Sequence, residues 1–156
     1  MIIISSDHAG EELKNKIIKF LEKKRIEYFN VSLECGCDGS IDYPDVAKQL
    51  CYKVLENPSN LGIIICGTGI GVCISSNKVK GIRAALCTEP YMAEMSRKHN
   101  NANVLCLGAR LESSKDDENI EMIVQTFIDN FFEGGRHDRR VKKINEIENA
   151  VKEGDK

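Results

Sequence analysis

The chain of 156 residues predicts an α/β fold, a single domain in which helices cover both faces of a parallel sheet. Three observations carry this reading. Short apolar runs alternate with amphipathic helical stretches along the chain. The run Leu61-Gly62-Ile63-Ile64-Ile65 is continuously apolar, as a strand buried on both faces is. The glycine-rich segment Cys66-Gly67-Thr68-Gly69-Ile70-Gly71 follows it directly and leads into a short helical segment ending at Lys78.

The elements follow in order. Met1 to Ser6 reads as a buried strand, and Asp7-His8-Ala9-Gly10 as the turn after it. A helix comes next, with Leu13, Ile17, Phe20 and Leu21 on one side and charged residues on the other. Glu27 to Val31 is a weaker strand, followed by a loop from Ser32 to Ile41 that holds Gly36, Gly39 and the pair Cys35 and Cys37. Asp42-Tyr43-Pro44-Asp45 starts a helix, since proline and acidic residues favour the first turn. Its inward face is Val46, Ala47, Leu50, Val54 and Leu55. After the central strand and glycine turn, Ile82 to Cys87 is the fourth strand. Thr88 is the expected cap of the next helix, which carries Met92, Met95 and His99 near one face and ends by Asn100-Asn101. Val104 to Leu107 is the fifth strand, followed by Gly108-Ala109-Arg110. A polar connection from Ser113 to Asn119 leads to a helix over Ile120–Phe132, with Ile123, Val124, Phe127, Ile128 and Phe131 inward. Gly134-Gly135 breaks that helix. A charged helix from Arg136 to about Lys152 closes the chain on a stripe of Val141, Ile144, Ile147 and Val151.

Composition narrows the function. Apolar residues make up 42% and charged residues 29%, ordinary for a globular protein, and the net charge of −2 favours neither nucleic acid nor an anionic membrane surface. The start Met1-Ile2-Ile3-Ile4 is too short and uncharged for a signal peptide, and no apolar stretch reaches transmembrane length. Seven cysteines without such a signal point to reduced thiols and a cytoplasmic protein.

Ligands of such sheets bind beyond the carboxyl ends of the strands. There the sequence gathers Asp7-His8, Cys66 to Gly71, Cys87 to Glu89 and Gly108 to Arg110. The glycine turn is an anion-binding nest. The thiol of Cys66 at its mouth faces a helix N-terminus, an environment that favours thiolate. The pattern suits a reactive group beside oxyanion-stabilising N–H groups. The same turn resembles a dinucleotide fingerprint without completing it, because position 72 is valine; Glu89 keeps a nucleotide-binding reading open. His8 and His99 are expected to reach one crevice, whereas His137 is read as a surface or core residue. Cys35 and Cys37 have no partner pair at metal-ligand spacing and are read as a loop feature. Arg136 and Arg140, four apart, would share a helix face, where an anion between them, joined by Arg110, would offset their unfavourable place at a helix start. A solvated basic run explains them equally well.

The set Ser6 to Gly10, Asp42-Tyr43-Pro44, Cys66 to Gly71, Ser76-Asn77-Lys78, Gly81 to Ala84, Glu89-Pro90-Tyr91, Ser96 to Asn100, Asn103 to Leu105, Gly108-Ala109-Arg110 and Glu133 to His137 resembles the type B ribose-5-phosphate isomerase family. That family also contains galactose-6-phosphate isomerase subunits. The similarity covers the chain from residue 2 to about 150, leaving 151–156 as a short charged tail beyond a 1–150 isomerase domain.

The resemblance implies a three-layer α/β/α, Rossmann-like fold with a five-stranded parallel sheet. It implies a homodimer, or a tetramer built from it, with active sites at the subunit interface. It implies interconversion of ribose 5-phosphate and ribulose 5-phosphate in the pentose phosphate pathway, with no metal or cofactor. Cys66 would be the base moving a proton between C1 and C2. Thr68 and the partner subunit's His99 would help open the sugar ring. The N–H groups of Gly67, Thr68, Gly69, Ile70 and Gly71, with Asn100, would hold the enediolate oxygen. Asp7 and Tyr43 would contact hydroxyls, and His8, Arg110, Arg136 and Arg140 the phosphate. A second design in the family replaces the cysteine with serine and uses a glutamate further along as base. With Cys66 and Ser75, this chain fits the cysteine design. A six-carbon sugar phosphate, such as allose or galactose 6-phosphate, and a non-catalytic nucleotide-binding module are the alternatives.

Overall fold

The computed structural model describes residues 1–32 and 41–150. Its sheet comprises β1 (Ile2–Ser6), β2 (Tyr28–Asn30), β3 (Leu61–Cys66), β4 (Ala84–Leu86) and β5 (Val104–Gly108). The helices are α1 (Glu11–Lys23), α2 (Tyr43–Leu55), α3 (Ile70–Ser76), α4 (Pro90–Asn100), α5 (Asp117–Asp129) and α6 (Asp138–Ala150). The strands lie in the order β2-β1-β3-β5-β4, and every pairing is parallel. The expected three-layer α/β/α architecture is therefore the observed one.

Alternating side chains along a strand point to opposite faces, and here both faces are dry. Ile2, Ile4, Ile63, Ile65, Leu105 and Leu107 pack with Leu13, Ile17, Phe20 and Leu21 of α1 and Ile123, Val124 and Phe127 of α5. On the other face, Ile3, Ile64, Val104 and Cys106 pack with Val46, Leu50, Cys51 and Val54 of α2 and Val72 of α3. Each fully buried isoleucine in this sandwich contributes about 1.5–3 kcal/mol by leaving water, which is why the strands read as unbroken apolar runs.

Several expected details differ. Leu55 lies exposed at the end of α2, and Cys51 takes its place on the inward face. Glu89, not Thr88, occupies the N-cap of α4 and makes no side-chain cap bond; the Thr88 hydroxyl instead approaches Met92 Sδ at 3.5 Å. The inward face of α4 is Ala93, Ser96 and Arg97, which turns Met92 toward solvent. α5 starts early because the Asp116 carboxylate caps it, accepting from the N–H groups of Glu118 and Asn119. It also ends early: Asn130 is extended, with φ −96° and ψ 145°, so Phe131 falls outside the helix and is 75% exposed. α6 begins at Asp138, after a 3₁₀ turn over Gly135–His137, so Arg136 and Arg140 sit in different elements. Of the stripe expected on α6, Val141 is buried, while Ile144 and Ile147 are exposed. Val151, Lys152, the 151–156 tail and the loop with Cys35 and Cys37 lie outside the described residues. Among the described residues, no helix is long and apolar enough to cross a membrane.

Candidate active site

The chain leaves β1 outward toward β2 and leaves β3 in the other direction, toward α3 and β4. The carboxyl ends of β1 and β3 therefore flank the crevice where this class of sheet binds ligands. Asp7 closes the β1 side. Its N–H donates to the Ile65 carbonyl at 3.1 Å, and its carboxylate accepts from the N–H groups of Ala9 at 2.9 Å and Gly10 at 3.1 Å. These bonds hold a buried acid at a fixed place, with His8 exposed beside it on the first residue of a 3₁₀ turn.

Cys66 ends β3 and is buried, and its Sγ accepts the N–H of Gly69 at 3.1 Å. That bond requires the chain to fold back at Gly69, which has φ +76°, the left-handed region glycine enters freely. The fold is also tight there: a Cβ on Gly69 would lie 2.5 Å from Leu86 Cδ1 and 2.9 Å from the Leu107 carbonyl carbon. The Thr68 hydroxyl accepts from the N–H of Ile70 at 3.3 Å and lies at the surface. Two backbone bonds lock the turn to the end of β5, Ala109 N–H to Cys66 O at 2.8 Å and Arg110 N–H to Gly67 O at 2.9 Å. The Arg110 side chain lies over Gly67, at 3.5 Å from where a Cβ would be, and the Tyr43 ring lies over Gly71, at 2.8 Å from the equivalent point. One chain thus brings together Asp7, His8, Tyr43, Cys66, Gly67, Thr68, Gly69, Ile70, Gly71 and Arg110. A buried sulfur, a glycine turn, a hydroxyl and a guanidinium are thereby neighbours, a grouping suited to moving a proton beside a developing oxyanion.

The remaining expected residues lie elsewhere. α4 starts at the carboxyl end of β4 and runs back to the opposite edge, where the Asn101 carbonyl accepts from Nε of Arg83, the residue before β4, at 2.8 Å. A helix of its eleven residues spans about 16 Å. His99 and Asn100 are consequently at the amino edge of the sheet, away from Cys66, and the expectation that His8 and His99 share a crevice fails within one chain. His99 instead stacks on His137, with ring centroids 4.1 Å apart and planes within 8°. Arg136 Nε donates to His137 Nε2 at 3.2 Å, and the Glu133 N–H donates to the Lys98 carbonyl at 3.1 Å, tying this loop to the end of α4.

His137, for which the sequence suggests a surface or core place, is 4% exposed and belongs to this second cluster. Its place between Arg136 and Arg140, just after a double glycine, was the signal available. Burial holds its pKa below the ordinary value, and the neighbours His99, Arg136 and Arg140 push the same way against Glu133. Ligand atoms of His99, Glu133 and His137 lie within 4.8 Å of one another. The stacked rings, however, aim their lone pairs along parallel planes rather than at one point, and Arg136 already donates to His137.

The family model described as Ribose/Galactose Isomerase matches residues 2–144. A probable ribose-5-phosphate isomerase B from Mycoplasma pneumoniae is 47% identical over 92% of this chain and 91% of its own length. The solved structure of Clostridium thermocellum ribose-5-phosphate isomerase B matches with a TM-score of 0.86 and 45% identity, covering 96% of this chain and 98% of that one. That of the Mycoplasma genitalium ribose-5-phosphate isomerase B, with bound ribulose-5-phosphate, matches with a TM-score of 0.85 and 44% identity over 95% of each chain.

Proposed function

Because this chain belongs to the ribose/galactose isomerase family, we propose that it interconverts D-ribose 5-phosphate and D-ribulose 5-phosphate through an enediolate. The observation that carries this reading is the buried Cys66 sulfur held against the N–H of Gly69 in a nest of backbone donors.

In the proposed reaction the Cys66 thiolate removes the C2 proton of the open-chain aldose and returns it to C1, while the hydroxyl proton passes from O2 to O1. Negative charge grows on the carbonyl oxygen during the first transfer. The N–H groups of Gly67, Thr68, Gly69, Ile70 and Gly71, together with Asn100, hold that charge. Thr68 and His99 open the furanose ring. Asp7 and Tyr43 bind sugar hydroxyls, and His8, Arg110, Arg136 and Arg140 bind the phosphate, the guanidiniums by charge-assisted bonds.

His99, Asn100, Arg136 and Arg140 belong to the amino edge of the sheet, so the reading requires a second copy to bring them to the Cys66 crevice of the first. The proposed enzyme is accordingly a homodimer with sites at the subunit interface. It would act in the cytoplasm, where the free thiols of Cys51, Cys66, Cys73, Cys87 and Cys106 stay reduced.

The test is turnover of ribose 5-phosphate by the purified protein in EDTA, beside allose 6-phosphate. Rapid turnover of the pentose alone supports the reading. Preference for the hexose moves the substrate to six carbons, and turnover of neither sugar removes Cys66 from catalysis.

A further inference from the structure

A cavity of about 740 Å³ opens at the amino edge of the sheet, away from the Cys66 crevice. Its polar wall carries Arg83, Arg97, Asn101 and Asn103, and its apolar rim includes Ile128 and Phe131. Neither arginine forms an ion pair among the described residues. Arg97 is only 8% exposed, an expensive place for a charge without a carboxylate. Glu27 is the one acidic side chain among the described lining residues, and Glu148, nearer Arg83, is engaged by the Gly81 N–H at 2.9 Å.

The guanidiniums are held in place with N–H donors to spare, and that of Arg97 also lies over the Phe127 ring, 5.4 Å from its centroid. Arg83 spends Nε on the Asn101 carbonyl at 2.8 Å; Arg97 spends Nε on Asn130 O at 3.1 Å and Nη1 on Ala102 O. A guanidinium has five N–H donors, so most remain. Both side chains line the cavity, which puts their spare donors within reach of a ligand in it. Asn103 stiffens the wall, accepting from the Arg83 N–H at 2.8 Å and donating to the Gly81 carbonyl at 2.9 Å. Burial lowers the pKa of both arginines; Arg83 lowers that of Arg97 further, while Glu148 works the other way on Arg83.

We propose that this cavity is a second anion site, in which Arg83 and Arg97 bind the phosphate of a small phosphorylated metabolite and the apolar rim packs on its organic part. The volume is within the range of small-molecule sites, and paired guanidinium forks are suited to phosphate geometry. An anion there would bring negative charge to two guanidiniums that have no ion-pair partner among the described residues.

The experiment is titration of the full-length ¹⁵N-labelled protein with inorganic phosphate and with phenyl phosphate, followed by amide NMR shifts. Both probes are expected to give saturable shifts at Gly81, Arg83, Asn101 and Asn103, phenyl phosphate at the lower concentration. These shifts persist in Arg136→Ala/Arg140→Ala, which removes the proposed substrate phosphate site, and vanish in Arg83→Gln. Arg83→Lys, which keeps the charge and loses the fork, weakens binding while leaving turnover unchanged. Shifts confined to the glycine turn and the Arg136 loop, loss of the cavity shifts in Arg136→Ala/Arg140→Ala, or their retention in Arg83→Gln overturns the proposal. So does silence at these amides, the result expected if a second copy closes the cavity. Because the readout is binding, it stands whether or not the protein isomerises ribose 5-phosphate.

Discussion

Replacing Gly69 with alanine separates two physical costs that the glycine avoids. The first is conformational, since φ is +76° and an L-residue there costs about 1–2 kcal/mol. The second is steric. The new Cβ would stand 2.9 Å from the Leu107 carbonyl carbon and 3.1 Å from the Gly108 nitrogen, backbone atoms of β5 that cannot swing aside, and overpacking of this kind costs about 1–3 kcal/mol. Gly69→Ala should therefore lose about 2–5 kcal/mol, a fall in Tm of roughly 4–20 °C for a domain of this size. Gly81 is the matched control. Its φ is +86°, but a Cβ would meet only the exposed Leu55 side chain, at 3.3 Å. Gly81→Ala should show the conformational cost alone. Urea unfolding of both variants at one fixed protein concentration measures the difference. Gly69→Ala also shifts the N–H that reaches Cys66 Sγ, and loss of one such oriented donor lowers kcat by about 10²–10³-fold. Equal destabilisation of the two variants, or normal kcat in Gly69→Ala, would refute the reasoning that β5 and the glycine turn fit together without room for a methyl group.

Three further outcomes are expected. Cys66→Ala should lower kcat by about 10²–10⁴-fold while substrate affinity, measured by calorimetry, changes little; normal turnover removes the thiol as the base. Arg136→Ala should raise KM by roughly 10- to 150-fold, the loss of a charged hydrogen bond, and an unchanged KM takes Arg136 out of the phosphate site. His137 has a folded-state pKa below its ordinary 6.5. The unfolded chain consequently takes up a proton that the folded chain refuses. Stability should be full above about pH 6.5 and fall as pH drops below it. Thermal melts between about pH 7.5 and 5.5 in phosphate-free buffer should show this slope in the wild type and a shallower one in His137→Asn; identical slopes would mean that His137 titrates freely.

The sheet was legible in the sequence because burial on both faces leaves strands such as Leu61 to Cys66 without a polar position. The Cys66 turn was legible because its glycines, thiol and flanking strand lie adjacent in the chain. Helix ends were harder. The strong local signal Gly134-Gly135 lies past the actual end at Asn130, which is set by backbone conformation rather than by a breaker residue. Periodicity places Ile144, Ile147 and Phe131 inward, yet an apolar side chain can be periodic and still face out when no element of its own chain covers it. The His99–His137 stack joins residues 38 positions apart, and nothing in local spacing encodes such a contact. The distribution of the candidate site over two edges of the sheet depends on the direction in which α4 runs, which appears only once strand order is known.

That distribution has a genetic consequence. Where two copies assemble as proposed, each crevice draws its sulfur from one polypeptide and its imidazole from the other. A lesion at Cys66 and a lesion at His99 each silence every site when present in all copies. Mixed in one pair, however, the two damaged polypeptides gather both lesions into one crevice and leave the other whole. Alleles of these two classes should thus complement when co-expressed, whereas two alleles drawn from the same edge of the sheet should not.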